Sequence, residues 1–472
     1  MSEPRVVILG GGPAGVGAAR ELRKSDKASV VLLEQNEHFG GNAGSFEAAG
    51  QRLDFGSHRL HPATDPEILA EIQGMLGADL LDRPRHGRIR LLGKWIHFPL
   101  KPLDLFLRLD KSFAIGSLRD MAAKALKKPD DGETFASVLR ANLGPTICKE
   151  FYFPYAVKLW GHDPVELSGI QAHKRVSAGS FLKLVRKVLG AVPGLKKPGA
   201  GRFFYPRHGF GAISEAYARE AQDAGADVRL GTRVVGLEAP TEQRGTWRVE
   251  FEGRSSGTLE AEYVWSTIPV TVLARAMRTP PPEEVLEASR SISYRAMILI
   301  YLQLPVARFT EYDAHYFPGA DTRITRLSEP KNYAALQEPR GSTVLCAELP
   351  CSVDDPVWKL DDAGLAQLVQ EDLANAGIPV PAQPQSVFSR RLSQAYPIYL
   401  NGYEQRFSVL DAWAESLTGV LSYGRQGLFA HDNTHHALFM ARAAADCLEG
   451  GVFDQQKWER YREVFRTHVV ED

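Results

Sequence analysis

The chain has 472 residues, 44% hydrophobic and 24% charged, with a formal net charge of −1. It is long enough for two or three domains, and its near-neutral balance gives no bulk attraction to nucleic acid or anionic lipid. No apolar run reaches the ~18 residues a membrane span needs, and four scattered cysteines without a C-x-x-C pair suit free thiols in a reducing cytoplasm.

The first 45 residues organise the rest. Val6 to Leu9 is a short apolar run suited to a buried parallel strand. Gly10-Gly11-Gly12-Pro13-Ala14-Gly15 follows as G-x-G-x-x-G, and Val16 to Lys24 reads as a helix. Ser29 to Leu33 is a second strand, ended by Glu34 and Gln35. Gly10 allows the turn, Gly12 lets a pyrophosphate approach the backbone, and Gly15 lets helix and strand pack closely. Pro13 and Ala14 open the helix, whose free N–H groups and dipole favour phosphate. Glu34 stands 19 residues after Gly15, where a carboxylate accepts both ribose hydroxyls. A dinucleotide site is expected. Phe39-Gly40-Gly41-Asn42-Ala43-Gly44-Ser45 then resembles the GG-x-x-GS/T segment of flavoproteins of the amine oxidase and UDP-galactopyranose mutase group. That resemblance implies FAD rather than NAD, with Gly41, Asn42 and Ala43 beside it.

Asp54-Phe55-Gly56-Ser57-His58 resembles the D-x-GGH segment of the mutases, with Ser57 in place of the second glycine. The resemblance implies that Gly56, Ser57 and His58 lie against the flavin. From the residues alone, the alternative for His58 is a surface-loop histidine. Arg88 to Leu100 alternates and turns at Gly93, a β-hairpin. Asp104 to Asn142 has helical spacing and reads as a helical insert. Phe151 to Gly161 resembles the mutase F-x-x-PY-x-x-K-x-WG signature, with Ala156 where those enzymes usually carry a polar residue. Arg175, in AHKRVS, matches an arginine that lines their substrate cleft. Ser180 to Leu195 is a basic amphipathic helix, expected to pack on its own domain rather than on a membrane surface.

Phe203 to Leu237 reads as a turn, an amphipathic helix and a strand ending near Val235, whose backbone the resemblance sets against the adenine. Thr246 to Phe251 and Thr258 to Ser266 form a hairpin pattern, and Ser291 to Leu304 is a buried strand of a second sheet. Tyr316, in HYFP, and Tyr396, in RRLSQAYP, match tyrosines that contact the substrate diphosphate in the mutases. Arg323, in TRITRLS, matches a second phosphate-contacting arginine, with Arg326 as its rival. Any one of these arginines also reads as a surface ion pair. The stretch from Gly424-Arg425 to Asn433, His435 and His436 resembles the closing GR-x-G-x-x-x-Y-x-N-x-DH signature. His431 replaces its tyrosine and His435 its aspartate; a helix from about His436 to Leu448 follows.

The expected fold class is α/β: a discontinuous Rossmann-type FAD-binding domain (1–60, 200–270, 405–472), a helical insert (61–199) and a mixed β-sheet substrate domain (271–404). The leading implication is a mutase-like enzyme on a nucleotide sugar, in which reduced FAD attacks the anomeric carbon with no net redox. Arg175, Arg323, Tyr316 and Tyr396 then grip the diphosphate, His58 tunes the flavin, and His431 can bind a phosphate as imidazolium. The alternatives are an oxidoreductase of the amine oxidase, protoporphyrinogen oxidase or desaturase type, and a flavin-binding protein with a degenerate site. No metal, nucleic-acid partner or membrane association is expected; the cytoplasm is the expected location, with no room before Val6 for a signal peptide, and the oligomeric state is not legible.

Overall fold

The computed structural model describes residues 3–98, 108, 111–124, 132–175 and 201–470. The expected basic helix at 180–195 lies outside the described residues.

A five-stranded parallel sheet forms the first layer. Its order is Val420–Ser422, Tyr263–Ser266, Arg5–Leu9, Ser29–Leu33, Asp227–Arg229. In chain order that is 3-2-1-4-5, the doubly wound arrangement whose ligand crevice lies at the carboxyl ends of the central strands. Val6, Val7, Ile8 and Leu9 are all fully buried, as a strand covered on both faces requires. Helix Pro13–Lys24 packs against helix Thr434–Asp446. Gly17 makes that approach close, since a Cβ there would lie 2.9 Å from the Cβ of Ala441. The opening turn and the closing helix are therefore neighbours in one core.

Two strands differ from the sequence expectation. The run toward Val235 is split at Gly231, whose positive φ of 61° turns the chain. Asp227–Arg229 stays in the parallel sheet, and Thr232–Glu238 starts an antiparallel sheet with Trp247–Gly253 and Gly257–Ala261. The run ending at Ser266 is split too: Gly257–Ala261 closes the hairpin, and Tyr263–Ser266 pairs in parallel with Arg5–Leu9.

A seven-stranded mixed sheet forms the other half, in the order Ser386–Ile398, Ser293–Leu304, Thr343–Cys351, Arg326–Ser328, Ala314–Tyr316, Gly87–Leu91, Lys94–Phe98. The hairpin of the last two strands turns at Leu92-Gly93, with positive φ at both. It belongs to this sheet although it falls in the stretch read as a helical insert. Side chains of Ser293–Leu304 alternate between two cores. Ile298, Ile300 and Leu302 meet helix Asp362–Asn375, through Leu365, Val369 and Leu373. Met297, Leu299 and Tyr301 face the opposite way, toward Leu53 and the glycine loops. That second face carries the candidate site. The four cysteines are buried and free, so no bond joins Cys346 to Cys351.

Candidate functional site

The glycine turn is built as a phosphate cradle. Gly10 sits at φ 100°, and a Cβ on Gly15 would lie 1.9 Å from the Gly10 carbonyl oxygen. Around a Cβ built on Gly12 nothing lies within 4 Å. The cradle is thus closed by Gly15 and open at Gly12. Helix Pro13–Lys24 begins there with Pro13 in its first turn, no side-chain cap and no acid beside it. Its N–H groups and positive dipole end face that opening, with Ala14 in the same turn. Glu34 is buried and accepts the Gly11 N–H at 2.6 Å and the Asn36 N–H at 2.7 Å, so its carboxylate is fixed at the strand end. Gln35, next along, lines a cavity of about 690 Å³ with Asn36, Gly231 and Arg233.

The second glycine loop lies on the first: Gly40 N–H donates to the Gly11 carbonyl at 2.9 Å, and Gly41 to Ala43 form one 3-10 turn. Asn42 donates to the Gln394 carbonyl at 3.4 Å. Val235 is the extra residue of a β-bulge between Val234 and Gly236 and has no partner in that ladder. Gly424 closes the other side, where a Cβ would lie 2.9 Å from that of Ala14. Arg425 donates to the Ala395 carbonyl at 3.0 Å and the Asp432 carbonyl at 3.2 Å, and lies over the Tyr396 ring at 5.3 Å. Asn433 caps helix Thr434–Asp446 in a capping box with His436. His435 is buried behind them, and burial holds its imidazole down to about 3, with His436, His61 and His468 adding repulsion. An open glycine at an uncapped helix end, a fixed carboxylate and an unpaired bulge together fit the pyrophosphate, ribose and adenine of FAD.

Gly56, Ser57 and His58 bridge to the sheet. Ser57 N–H donates to Glu348 Oε1 at 2.8 Å, and at Gly56 (φ 96°) a Cβ would lie 3.3 Å from the same oxygen. His58 Nε2 stands 3.0 Å from the Phe55 carbonyl, which can only accept, so Nε2 carries the proton. Its ring stacks on Phe210 at 5.3 Å. Burial pushes its pKa down, opposed by Asp54, so the imidazole is the neutral acceptor type at Nδ1. Asp54 below it is locked by Ser45 (2.6 Å), Tyr205 (2.6 Å) and the Phe210 N–H (2.8 Å).

One row across the seven-stranded sheet gathers the polar groups. Tyr316 pairs in register with Arg326, and Arg326 with Glu348. Glu348 accepts Arg326 Nε at 2.9 Å and Nη2 at 2.8 Å. Arg59 reaches this row from the neighbouring loop and donates to the Tyr316 hydroxyl at 2.9 Å. Tyr396 stands off this row, two strands from Glu348 and paired with Arg295, edge-on to Trp160 at 5.8 Å.

Arg323 is not part of this row. Its Nε and N–H bind Asp372 at 2.9 and 2.6 Å, and its Nη2 binds Glu371 at 2.9 Å. Those acids belong to helix Asp362–Asn375, on the other face of the sheet, and Arg326 holds the inward position instead. Arg175 ends helix Gly169–Arg175, but its side chain lies outside the described part of the structure. His431 is buried, 3.2 Å from Gln171 Oε1 and edge-on to Trp160 and Tyr399.

Arg59, Glu348, Tyr333 and Asp313 went unread in the sequence. Glu348 had a signal: it is the lone charge in an otherwise apolar strand, TVLCAELPC. Arg59 sits one residue past the motif read for Gly56, Ser57 and His58. A further group, Asp432, His436 and His468, brings ligand-type atoms within 4.8 Å of one another. The two imidazoles stack in parallel, centroids 4.2 Å apart and planes 12° from parallel. Their in-plane lone pairs cannot converge on one ion, and Nδ1 of each ring stands 3.4 Å from the Asp432 Oδ1. Burial alone would raise the Asp432 carboxyl; the neighbouring His436 and His468 imidazoles outweigh it and hold the carboxyl below the usual carboxylate range.

A parallel 3-2-1-4-5 sheet with this cradle and second glycine loop defines a dinucleotide-binding flavoprotein. Residues 13–444 match the family of flavin-containing amine oxidoreductases. The chain belongs to that family and is an FAD-dependent enzyme. Rice polyamine oxidase 4 is 35% identical over 79 residues, 17% of this chain and 16% of that one. A probable UDP-galactopyranose mutase of Klebsiella pneumoniae is 25% identical over 177 residues, 35% of this chain and 44% of that one. The matched segments thus span less than half of either relative. Among solved structures, reduced UDP-galactopyranose mutase superposes with a TM-score of 0.82 at 19% identity, covering 99% of this chain and 100% of that one. Putrescine oxidase bound to putrescine gives 0.66 at 17% identity, covering 94% and 98%. At these identities the likeness is one of fold. Among the described residues no helix is long and apolar enough to cross a membrane.

Proposed function

We propose that the enzyme acts on a diphosphate-bearing nucleotide sugar in a redox-neutral isomerisation, as a mutase-like flavoenzyme. The observation that carries this reading is the in-register pair Tyr316–Arg326, with Arg59 and the Arg425–Tyr396 pair on the same side of the molecule. Guanidinium and phenol groups are the donors a diphosphate takes: forked, charged contacts from arginine and single O–H donors from tyrosine. Arg326, Tyr316 and Tyr396 bind the diphosphate in this account; Arg175 is a further candidate. Bound FAD supplies the reactive centre, a nucleophile when reduced and a hydride acceptor when oxidised. The chain's own work is binding, orientation and exclusion of water. His58, neutral and fixed by the Phe55 carbonyl, orients the flavin side of the pocket.

A second reading, an oxidoreductase that takes hydride from a C–H bond, has one observation in its favour. Each of these two half-buried arginines already faces a carboxylate, Arg326 with Glu348 and Arg59 with Asp313. A site so balanced holds less free positive charge for a diphosphate. The two readings separate in one assay. The protein is reduced anaerobically with dithionite and given UDP-galactopyranose. Isomerised product with the flavin still reduced supports the first reading, and bleaching of oxidised flavin by an amine or other C–H substrate supports the second.

A further inference from the structure

We propose that Arg59 is a positioning residue that aims the Tyr316 hydroxyl at the substrate's diphosphate; this rests on reading the Tyr316–Arg326 row as a diphosphate site. Arg59 Nη1 donates to the Tyr316 oxygen at 2.9 Å. A guanidinium has no acceptor, so Tyr316 cannot return its own proton to Arg59. Among the described residues the Tyr316 hydroxyl donates no hydrogen bond of its own. The phenol is thereby left as a donor with its oxygen already satisfied, the state suited to an incoming phosphate oxygen.

Arg59 is held so that it can do this. Its Nη2 donates to Tyr333 Oη at 3.1 Å and to Asp313 Oδ1 at 3.2 Å. The guanidinium lies over the rings of Phe203 and Tyr333, 5.0 Å from each centroid. Its side chain is 12% exposed and that of Asp313 is 5% exposed, so the pair is shielded from screening by water. Arg326 lies 6.0 Å over the Tyr316 ring. Tyr316 is therefore fixed at its oxygen by one arginine and at its ring by another.

The test is a double-mutant cycle on the FAD-loaded enzyme, with inorganic pyrophosphate as the probe and calorimetry as the readout. Arg59→Met and Tyr316→Phe each weaken pyrophosphate binding about tenfold. The double variant binds no more weakly than Tyr316→Phe alone, because Arg59 acts through the phenol. Arg59→Lys keeps a charge beside Asp313, recovers part of the loss, and serves in the cycle if Arg59→Met does not fold. Additive losses, an unaffected Arg59→Met, or no pyrophosphate binding by the unaltered enzyme would each overturn the assignment. UDP-galactopyranose turnover is measured separately. A missing turnover with the cycle intact rejects the isomerase reading and leaves the role of Arg59 standing.

Discussion

Arg326 and Glu348 form a two-pronged pair across adjacent strands, at 2.9 and 2.8 Å, and Glu348 also accepts the Ser57 N–H at 2.8 Å. One buried carboxylate thus sets the direction of the half-buried Arg326 and the height of the loop that carries His58. Replacing Glu348 by Gln leaves the Arg326 charge without its partner. We expect a loss of about 2 kcal/mol in stability, less than breaking a fully buried pair costs because Arg326 stays partly exposed. Pyrophosphate should restore part of it by supplying a new anion. A melting curve with and without pyrophosphate checks this; an equal loss in both would separate Arg326 from anion binding.

The cradle predicts a sharp contrast between two glycines. Gly15→Ala forces a methyl to within 1.9 Å of the Gly10 carbonyl oxygen, which the turn cannot absorb. The variant should purify without bound flavin. Gly12 has open space around it, so Gly12→Ala should fold with unchanged melting of the flavin-free protein and still bind FAD more weakly, since the methyl enters the phosphate's path. Absorbance at the flavin bands after reconstitution reads both.

Arg323→Ala should leave FAD content, pyrophosphate affinity and turnover unchanged. Its guanidinium is 46% exposed and serves the Asp372 and Glu371 contacts on the covered face. The expected cost is stability alone, about 1 kcal/mol. A change in pyrophosphate affinity with unchanged melting would return Arg323 to the site.

Stability should fall on mild acidification. His435 and His315 are both held down to about 3, mainly by burial. Their unfolded values lie near 6.5, so below that pH the unfolded chain takes up protons that the fold refuses. Stability is complete above the unfolded value and declines as pH drops from about 6.5 toward 3. At pH 5 each imidazole contributes a loss of about 2 kcal/mol. His315→Asn should remove its share of the difference between pH 7 and pH 5 in urea unfolding. An unaltered difference would mean that His315 already titrates normally.

The nucleotide half of the molecule was legible because its rules are local. Gly10 is set by its positive φ in the turn, Gly15 by its close approach to the Gly10 carbonyl oxygen five residues back, Gly12 by the room a phosphate needs, and Glu34 by the length of one strand–helix–strand unit. The sheet half was legible as elements but not as a site. Arg323 and Arg326 share one short stretch, TRITRLS, and only strand register and the position of helix Asp362–Asn375 decide which turns inward. Tyr333 and Asp313 meet Arg59 across more than 250 residues, a distance no local pattern spans. The last helix, Gln455–Arg466, went unread because its sequence, QQKWERYREVFR, is mostly polar and buries Trp458, Arg462 and Phe465 alone. The split at Gly231 was hidden because the strands on either side read as one run.

The central claim is that this flavoenzyme rearranges a nucleotide sugar without net oxidation. Anaerobic incubation of the dithionite-reduced enzyme with UDP-galactopyranose, followed by separation of the nucleotide sugars, tests it most directly. The account predicts a ring-contracted isomer formed over many turnovers while the flavin spectrum stays reduced. No isomer, together with bleaching of the oxidised enzyme by an amine or apolar C–H donor, would contradict it.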